Sequence, residues 1–464
     1  MLRLIFILVL FNSSCQIDTV SQFEWCASAT SLDMVYDYSS MDNSGNVVVV
    51  GVPIKRGPTE PVIYDGNNDT IEQGTFISRQ NIIISYSSEG IVNWNYRLYQ
   101  QRTEVLGVCH QSSSTVLLIR VKETRQWVDS VGITRGWLPS VFDSLTKGYY
   151  LFHINSKGKH TRLERVFENE YGDLNIHDFK ACRNGYVLTG NQEHGTTLCS
   201  EFQLTSESGD AGFILFLNKK GTPVQAHQAF FDFDGTSYYS SKFHIAVTNN
   251  SLYVAGVAVT KTKEFKKRLW KPYIACYSTK GDQLWVLDSP NIKAECMAIC
   301  GDKEGVYVSY RMKNDTGTFY DIGIDAINFY SSMIVSVSSN GVMNWVKPIS
   351  SSVVKDLALN NDELLLLGYF DISYKVGEIV FDSLGYFEKM FLATILTDGS
   401  LQQVDIIKLP TYRNHSFKIY TDSDNYRYIV GGMRNAKLNI IDVGFGDAVI
   451  YSHGPLIGKF RKSN

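Results

Sequence analysis

Two tryptophans and two arginines stand close together in one long connection of the chain. The segment 122–148 contains Trp127 and Trp137, each accompanied by an arginine, Arg125 and Arg135. Trp and Arg side chains carry much of the energy at protein interfaces, because each offers a large contact surface together with polar donors. This segment therefore predicts an anchor for a partner molecule. The alternative is that both indoles pack onto their own fold, since connections of this length often have structure of their own.

A second group of polar residues has the alternating spacing of a calcium-binding loop. Asp65, Asn67 and Asp69 lie in the run DGNNDT and supply carboxylate and amide oxygens at every second position. Thr70 occupies the position that requires glycine in an EF-hand, and no glutamate follows at the twelfth position. A metal site of another kind is one interpretation of this run, and turn-forming Asp and Asn residues are the other.

The eight cysteines do not form the pattern of a disulfide scaffold. Cys182 and Cys199 flank a predicted hairpin and are the pair for which a disulfide is expected. Cys296 and Cys300 lie four positions apart in a predicted strand, about 13 Å along its axis, which is too far for a bond. Most of the thiols are expected to be buried and free.

The N-terminal segment 1–15 has the layout of a secretory signal peptide. Arg3 precedes an apolar run from Leu4 to Phe11, and small residues follow up to Cys15, where cleavage is expected. A lipoprotein signal with Cys15 as the lipidated residue is the alternative. Secretion is compatible with glycosylation at four sequons, Asn68, Asn249, Asn314 and Asn414. No later segment is long and apolar enough for a transmembrane helix.

Charge and motifs argue against several classes of function. The formal net charge is −3 and the pI is about 6.3, which does not favour nucleic acid as a partner. The chain contains no His-Glu-x-x-His zinc motif, no Gly-x-Ser-x-Gly elbow and no phosphate-binding glycine loop. The sequence thus implies no cofactor, and a non-catalytic protein is favoured.

The elements that must position these residues recur along the whole chain. Each unit contains an apolar strand, a polar turn and a glycine, followed by another strand. The marker glycines recur at a nearly regular interval and are Gly90, Gly158, Gly221, Gly281, Gly341, Gly399 and Gly454. A second hairpin precedes each marked strand, so a unit holds four strands, which is the content of a propeller blade. We therefore predict an all-β, seven-bladed propeller of four-stranded antiparallel blades that spans residues 16–464 as one domain.

The repeat resembles the SBBP-type β-propeller family. Its units have a Gly-Asn entry into strand two and an Asp-x-x-Gly-x-x-x-Trp exit, and the closest copies here are NSGNVVVVG and SSNGVMNW. Exit tryptophans are found as Trp94, Trp285 and Trp345. Quinoprotein dehydrogenase repeats share the Gly-x-x-x-Trp exit, whereas sialidase Asp-boxes place the tryptophan one residue earlier. The resemblance implies a secreted seven-bladed propeller.

Spacing also predicts how the ring closes. Trp25 precedes Val47 of the next strand two by the same interval that separates Trp94 from Val116. The segment 23–29 is therefore expected to be the fourth strand of the last blade, which leaves no exposed sheet edge at the closure. The segment 456–460 is the competing candidate for the same place.

The connections after strand two are long and dissimilar, and they share one face with the connections between blades. They are roughly 53–76, 122–148, 191–211, 257–271, 311–330, 370–388 and 434–446. Function in repeat scaffolds resides in such loops, and Tyr64 and Tyr320 are further aromatic candidates there. The favoured function is a secreted or cell-surface scaffold for a protein partner. A glycan-binding lectin and an enzyme with an axial site, a hydrolase or a quinoprotein, are the alternatives.

Overall fold

The computed structural model describes the blade strands and most of the short turns between them. No α-helix occurs among the described residues. Those residues are 23–28, 34–53, 62–64, 70–73, 80–99, 103–111, 114–121, 146–167, 174–192, 195–199, 201–206, 211–228, 238–240, 242–261, 268–289, 292–312, 317–319, 322–324, 331–349, 352–370, 375–376, 379–380, 388–411, 417–433, 441–442, 449–450 and 454–460.

The strands are numbered in chain order. The N-terminal strand and the first two blades comprise β1 Phe23–Ser28, β2 Met34–Met41, β3 Val47–Pro53, β4 Val62–Tyr64, β5 Thr70–Gln73, β6 Gln80–Tyr86, β7 Val92–Tyr99, β8 Thr103–Gln111, β9 Ser114–Val121, β10 Gly148–Asn155 and β11 His160–Phe167. The third and fourth blades comprise β12 Leu174–Cys182, β13 Gly185–Gln192, β14 Gly195–Cys199, β15 Phe202–Ser206, β16 Ala211–Asn218, β17 Pro223–Gln228, β18 Tyr238–Ser240, β19 His244–Val247, β20 Ser251–Lys261, β21 Arg268–Ser278 and β22 Gln283–Asp288. The remaining blades comprise β23 Ala294–Gly301, β24 Gly305–Met312, β25 Gly317–Phe319, β26 Ile322–Ile324, β27 Ser332–Ser338, β28 Met343–Ile349, β29 Ser352–Asn360, β30 Glu363–Phe370, β31 Lys375–Val376, β32 Ile379–Val380, β33 Glu388–Leu396, β34 Leu401–Thr411, β35 Lys418–Thr421, β36 Arg427–Met433, β37 Ile441–Asp442, β38 Val449–Ile450 and β39 Gly454–Phe460.

Seven antiparallel sheets form the blades of a propeller. The first blade has the order β2-β3-β6-β7, and the second, third, fifth and sixth blades repeat it as β8-β9-β10-β11, β12-β13-β16-β17, β23-β24-β27-β28 and β29-β30-β33-β34. In the fourth blade the innermost strand is split into β18 and β19, which both pair with β20, and β21 and β22 follow. The predicted all-β, seven-bladed fold is confirmed.

The hydrophobic core lies between neighbouring blades, and strand two shows why. Val47 to Val50 of β3 are all fully buried. Val47 and Val49 pack with residues of the seventh blade, and Val48 and Val50 pack with residues of the second blade. A strand that is covered on both faces requires an apolar residue at every position, which is what this run provides.

The turn between strands three and four has one construction in the first six blades. In the fifth blade the N–H of Gly341 donates to Ser338 O at 3.0 Å, and the N–H of Ser338 donates to Val342 O at 2.8 Å. Gly341 has a φ of +82°, a left-handed conformation that glycine adopts without the steric cost of a Cβ atom. This is a hairpin loop with a glycine bulge, and it explains the recurring marker glycine.

Each exit tryptophan packs on the marker glycine of the next blade. A Cβ atom at Gly341 would lie 2.9 Å from the Trp285 ring, and Trp285 Nε1 donates to Ser339 O at 2.8 Å. The same ring contact joins Trp94 to Gly158 and Trp345 to Gly399. The two sequence markers are therefore the two halves of one contact between blades.

The N-terminal strand closes the ring, as the spacing predicts. β1 pairs antiparallel with β39, with Trp25 opposite Lys459, and β39 pairs in turn with β36. The competing segment 456–460 belongs to β39 and is the third strand of the last blade. The prediction was wrong about Gly454: this residue begins β39, and the preceding Val449–Ile450 belongs to the small hairpin β37–β38.

Small hairpins project from the connections between strands two and three. They are β4–β5, β14–β15, β25–β26, β31–β32 and β37–β38. In the fourth blade the predicted connection 257–271 is wrong in extent, because β20 and β21 pair without interruption up to Lys261 and Arg268. We call the side of the ring that carries these connections the hairpin face, and the opposite side the short-turn face.

Candidate functional site

The innermost strands of the blades surround the axis of the ring. They are β2, β8, β12, β19, β23, β29 and β35, and consecutive strands in this series contact one another. Residues that are far apart in sequence therefore meet at the axis. Each of these strands runs from the hairpin face towards the short-turn face.

A β-bulge recurs at one position of five inner strands. The fourth residue of the strand is skipped in the pairing with strand two, and these residues are Asp37, Leu106, His177, Met297 and Lys355. A bulge bends a strand and redirects the side chains that follow it. In the third and sixth blades the residue after the bulge is an aspartate.

These two aspartates tie neighbouring inner strands together in the same way. Asp178 Oδ2 accepts the N–H of Ile245 from the fourth blade at 2.9 Å. Asp356 Oδ2 accepts the N–H of Ile419 from the seventh blade at 2.8 Å. Each bond satisfies a backbone donor at the edge of the next blade's inner strand, so each carboxylate has a structural role.

A lysine accompanies each aspartate at the axis. Lys418 Nζ donates to Asp356 Oδ1 at 3.1 Å, and Lys180 Nζ lies 3.8 Å from Asp178 Oδ1. The side chain of Lys180 is 42% exposed and that of Lys418 is 40% exposed, although both residues belong to innermost strands. The surface that they expose therefore faces an open channel along the axis of the ring.

Electrostatic pairing governs the titration of these groups. Burial alone would raise the pKa of Asp178, but Lys180, His244 and the backbone N–H of Ile245 outweigh it and hold this pKa below its ordinary value. Asp178 in turn raises the pKa of Lys180, and Asp356 raises the pKa of Lys418. The middle of the channel thus holds two balanced ion pairs.

Two histidines flank Asp178 on the side of the hairpin face. Burial lowers the pKa of His244 to about 3, and burial together with Lys242 lowers the pKa of His177 to about 4. His177 Nδ1 accepts the N–H of Phe243 at 3.1 Å. Both imidazoles are neutral at pH 7, so they offer hydrogen bonds to the channel without charge.

Cationic groups lie on one side of the channel's opening on the hairpin face. Lys242 comes shortly before β19, and Arg311 is the penultimate residue of β24, opposite Glu295 in the pairing with β23. Lys355 lies in the bulge of β29, with its Nζ atom 5.2 Å from the ring centroid of Tyr369. Burial and the charge of Arg311 lower the pKa of Lys355. We call Lys242, Glu295, Arg311 and Lys355 the mouth cluster.

The inner strands carry less reactive groups further from the hairpin face. The Tyr420 hydroxyl donates to Ser39 O at 2.8 Å, and its oxygen lies 2.9 Å from Ser39 Oγ. Cys109 Sγ contacts Phe179 O at 3.5 Å, and burial raises the pKa of this thiol well above its ordinary range. Cys109 is therefore a protonated core residue and not an activated nucleophile.

Most of the residues singled out in the sequence fall outside the described residues. These are Trp127, Trp137, Arg125, Arg135, Tyr320, Asp65, Asn67, Asp69, Asn68, Asn314, Asn414 and the segment 1–15. Tyr64 ends β4, where its backbone pairs with Thr70. Asn249 is exposed in the turn between β19 and β20, on the short-turn face. Within the part of the chain that the structure describes, no group of three or more His, Cys, Asp or Glu residues could hold a metal ion.

The disulfide expected between Cys182 and Cys199 is not present. Both thiols are free. Cys182 ends β12 at the short-turn face, whereas Cys199 ends β14, in a small hairpin on the hairpin face. The whole of β13 separates the two positions, so the spacing in sequence misjudged their separation in space. Cys296 and Cys300 are also free thiols, in agreement with the expectation.

Sequence reasoning missed the axial residues. Asp178 and Asp356 are charged residues in strands that are predicted from their apolar residues. Each has a basic residue within two positions in the sequence. The interval between the two aspartates is close to three repeats. A search for charged residues at equivalent positions of different units would have found this signal.

Comparisons with known proteins add the following. Neither the models of known protein families nor the sequences of curated proteins contain a match to this chain. Among solved structures, a point mutant of Synechocystis apocarotenoid oxygenase is 10% identical with a TM-score of 0.41, over 96% of this chain and 94% of that chain. An α-L-arabinofuranosidase from Fusarium graminearum is 10% identical with a TM-score of 0.36, over 96% and 98% of the two chains. Hydrazine synthase from Kuenenia stuttgartiensis is 8% identical with a TM-score of 0.36, over 71% and 92%.

These similarities are too low to transfer any activity to this chain. Among the residues that the structure describes, no helix is long and apolar enough to cross a membrane.

Proposed function

We propose that this protein is a secreted or cell-surface recognition scaffold that binds a protein partner through its hairpin face. The observation that carries the proposal is the unequal elaboration of the two faces. Five small hairpins and the extended pair β20–β21 lie on the hairpin face, whereas the other face has turns of only a few residues. Binding in repeat scaffolds resides where loops vary on a rigid frame.

The connection of the second blade supplies the anchors of this proposal. β9 ends at Val121 and β10 begins at Gly148, so the segment between them leaves and re-enters the ring on the hairpin face. Trp127 and Trp137 within it, with Arg125 and Arg135 nearby, are of the types that dominate interface energies. Tyr64 and Tyr320 belong to neighbouring connections of the same kind.

Secretion and family are part of the same proposal. The N-terminal segment has the layout of a signal peptide, and the exit motif SSNGVMNW supports a place among SBBP-type repeat proteins. The sequons at Asn68, Asn249, Asn314 and Asn414 are the proposed glycosylation sites.

Photocrosslinking of the secreted full-length protein tests the face that binds. A photoreactive phenylalanine analogue is placed at position 131 of the second-blade connection, and at Lys303 on the short-turn face as the control. We expect a protein adduct from the first position and none from the second. Equal adducts from both faces would refute the assignment, and glycan-array binding without any protein adduct would favour the lectin alternative.

Truncation of the anchors tests their role. Trp127→Ala or Trp137→Ala is expected to weaken capture of the crosslinked partner about thirtyfold, the effect of losing roughly 2 kcal/mol at a hot spot. Leu284→Ala, which truncates an exposed apolar side chain on the outer strand β22, is the matched control. Lowered melting temperatures with unchanged affinity would show that the indoles only pack onto the fold.

A further inference from the structure

The charges of the channel are arranged unevenly along its length. In the middle, Lys180 and Lys418 lie next to Asp178 and Asp356, so each positive charge has a negative one beside it. At the mouth cluster the described residues supply three cations and one carboxylate. Among these described residues, positive charge therefore predominates where the channel opens on the hairpin face.

The members of the mouth cluster come from three blades. Lys242 belongs to the fourth blade, Glu295 and Arg311 to the fifth, and Lys355 to the sixth. Their inner strands β19, β23 and β29 are consecutive around the axis and contact one another. The bulge of β29 places Lys355 out of the pairing register, and a bulge redirects a side chain in this way. The fold therefore brings these cations to one side of the opening.

The surroundings of Lys355 disfavour its own charge. The side chain is half-buried, and its pKa is lowered by burial first and then by Arg311 and Lys242, against the opposing charge of Glu295. Its ammonium group lies over the face of the Tyr369 ring, 5.2 Å from the centroid, which is a cation–π contact. A cation–π contact offers no negative charge, so like charges remain close together here.

We propose that the mouth cluster binds a compact anionic group, a phosphate or a carboxylate of a small ligand. Lys242 and Lys355 offer charge-assisted hydrogen bonds to the oxygens of either group, and Arg311 adds positive charge beside Lys355. The two lysines deeper in the channel are already paired with aspartates, so the proposed site lies at the opening. This site is separate from the proposed protein interface on the hairpins, and its ligand is a small molecule.

Calorimetric titration of the full-length protein at low ionic strength tests the proposal, with inorganic pyrophosphate and citrate as probes. We expect saturable binding of at least one probe with a stoichiometry of one. Pyrophosphate binding alone would identify a phosphate site, and citrate binding alone a carboxylate site. Absence of saturable binding by either probe would overturn the proposal.

Charge-neutral variants locate the site. Lys355→Gln and Lys242→Gln are each expected to weaken probe binding about tenfold, the effect of losing one charge-assisted hydrogen bond. Lys303→Gln makes the same change in net charge at an 86% exposed position on the short-turn face and should change affinity less than about twofold. Equal losses in all three variants would show that only the net charge matters, and would refute the site.

Thermal unfolding adds a readout that a purely structural lysine would not give. Without the anion, Lys355→Gln removes like-charge repulsion and should melt at or above the temperature of the wild-type protein. With the anion, only the wild-type protein should gain stability, because a ligand stabilises the state that binds it. Lys355 is not part of an anion site if the Lys355→Gln variant melts at a lower temperature than the wild-type protein without anion and is stabilised by the anion as much as the wild-type protein is. Lys242 is exposed and lies outside the strands, so its variant tests the site even if Lys355→Gln fails to fold.

Discussion

The joint between the fifth and sixth blades and the joint between the sixth and seventh blades use different chemistry for the same contact. In the first, the Trp345 ring packs on Gly399, and Trp345 Nε1 donates to Thr397 O at 2.8 Å. In the second, the fully buried Arg427 places Nη2 at 3.2 Å from Glu363 Oε2. One joint is an aromatic ring on a turn, and the other is a buried ion pair.

The route of the chain explains the difference. The seventh blade takes its fourth strand from the N-terminal β1, so no turn joins its strands three and four and no turn carbonyl faces the sixth blade. The residue at the exit-tryptophan position of the sixth blade is Gln403, whose Nε2 donates to Asp405 Oδ1 in the same strand at 2.9 Å. An exit tryptophan is thus useful only where the next blade offers a marker turn.

The other joints show that the acceptor is constant while the donor varies. The acceptor is the carbonyl two residues before the marker glycine. The side-chain donors and the carbonyl oxygens that accept from them are Trp285 to Ser339 O, Trp345 to Thr397 O, Arg162 to Lys219 O, Asn184 to Thr279 O and Lys459 to Ser88 O. A backbone acceptor is present whatever the side chain, so several donor types satisfy it. This is why exit tryptophans appear in only some repeats.

Removal of β1 should have the largest effect, because it breaks the closing blade. Deletion of residues 1–30 leaves β39 as an unpaired edge, and we expect a loss of more than about 5 kcal/mol in the free energy of unfolding, with aggregation. Deletion of residues 1–22, which keeps β1, is the control. Urea unfolding and size-exclusion chromatography measure both. Identical urea midpoints for the two deletions would contradict closure by β1.

The buried ion pair of the sixth and seventh blades should be the next most sensitive point. Arg427→Met removes a fully buried cation from beside the Glu363 carboxylate, at a cost of about 3–5 kcal/mol. The matched control is Arg120→Met, which breaks the part-exposed pair with Glu104 and should cost about 1 kcal/mol or less. Urea unfolding compares the two. Equal effects would show that burial does not distinguish this joint.

A substitution in the marker turn should have an intermediate effect. Gly341→Ala forces an alanine to a φ of +82° and places a Cβ atom 2.9 Å from the Trp285 ring. We expect a loss of about 1–3 kcal/mol in the free energy of unfolding. Asn340→Ala changes an exposed residue of the same turn and should stay within about 0.5 kcal/mol of the wild-type protein. A Gly341→Ala protein as stable as this control would rule out strain at the turn.

The hydrogen bond of the exit tryptophan should contribute least. Trp345→Phe keeps an aromatic ring at the joint but removes the donor to Thr397 O, and we expect a loss of about 0.5–1.5 kcal/mol. Trp285→Phe should lose a similar amount, since its bond to Ser339 O has the same length of 2.8 Å. Thermal and urea unfolding check both. No loss in either variant would show that the joint depends on ring packing alone.

Much of the fold could be predicted because its signals are local. In the first five blades a Ser or Asn begins this turn, and the glycine three residues later donates its N–H to the carbonyl of that residue, so the pattern alone defines the hairpin. Gly454 was wrongly predicted to lie in a turn between strands three and four. A glycine that follows polar residues looks the same in the sequence whether it lies in such a turn or begins a strand. The blade count still held, because the segment that follows Gly454 supplies a strand of the last blade.

The candidate site could not be predicted in the same way. In the sequence, Asp178 and Asp356 are isolated charged residues within strands. The residues whose N–H groups they accept, Ile245 and Ile419, each lie about one repeat further along the chain. Only the circular arrangement of the blades brings these groups into contact. The mouth cluster likewise requires three different blades.

By itself the sequence determined the strands, the turns, the number of blades and the strand that closes the ring. These depend on hydrogen bonds and burial patterns within a few residues or within one repeat. The tertiary structure decided which charges meet, as with Lys418 at Asp356 and Arg427 at Glu363. The reason is that electrostatic pairing depends on distance in space, and neighbouring inner strands in the closed ring come from different repeats.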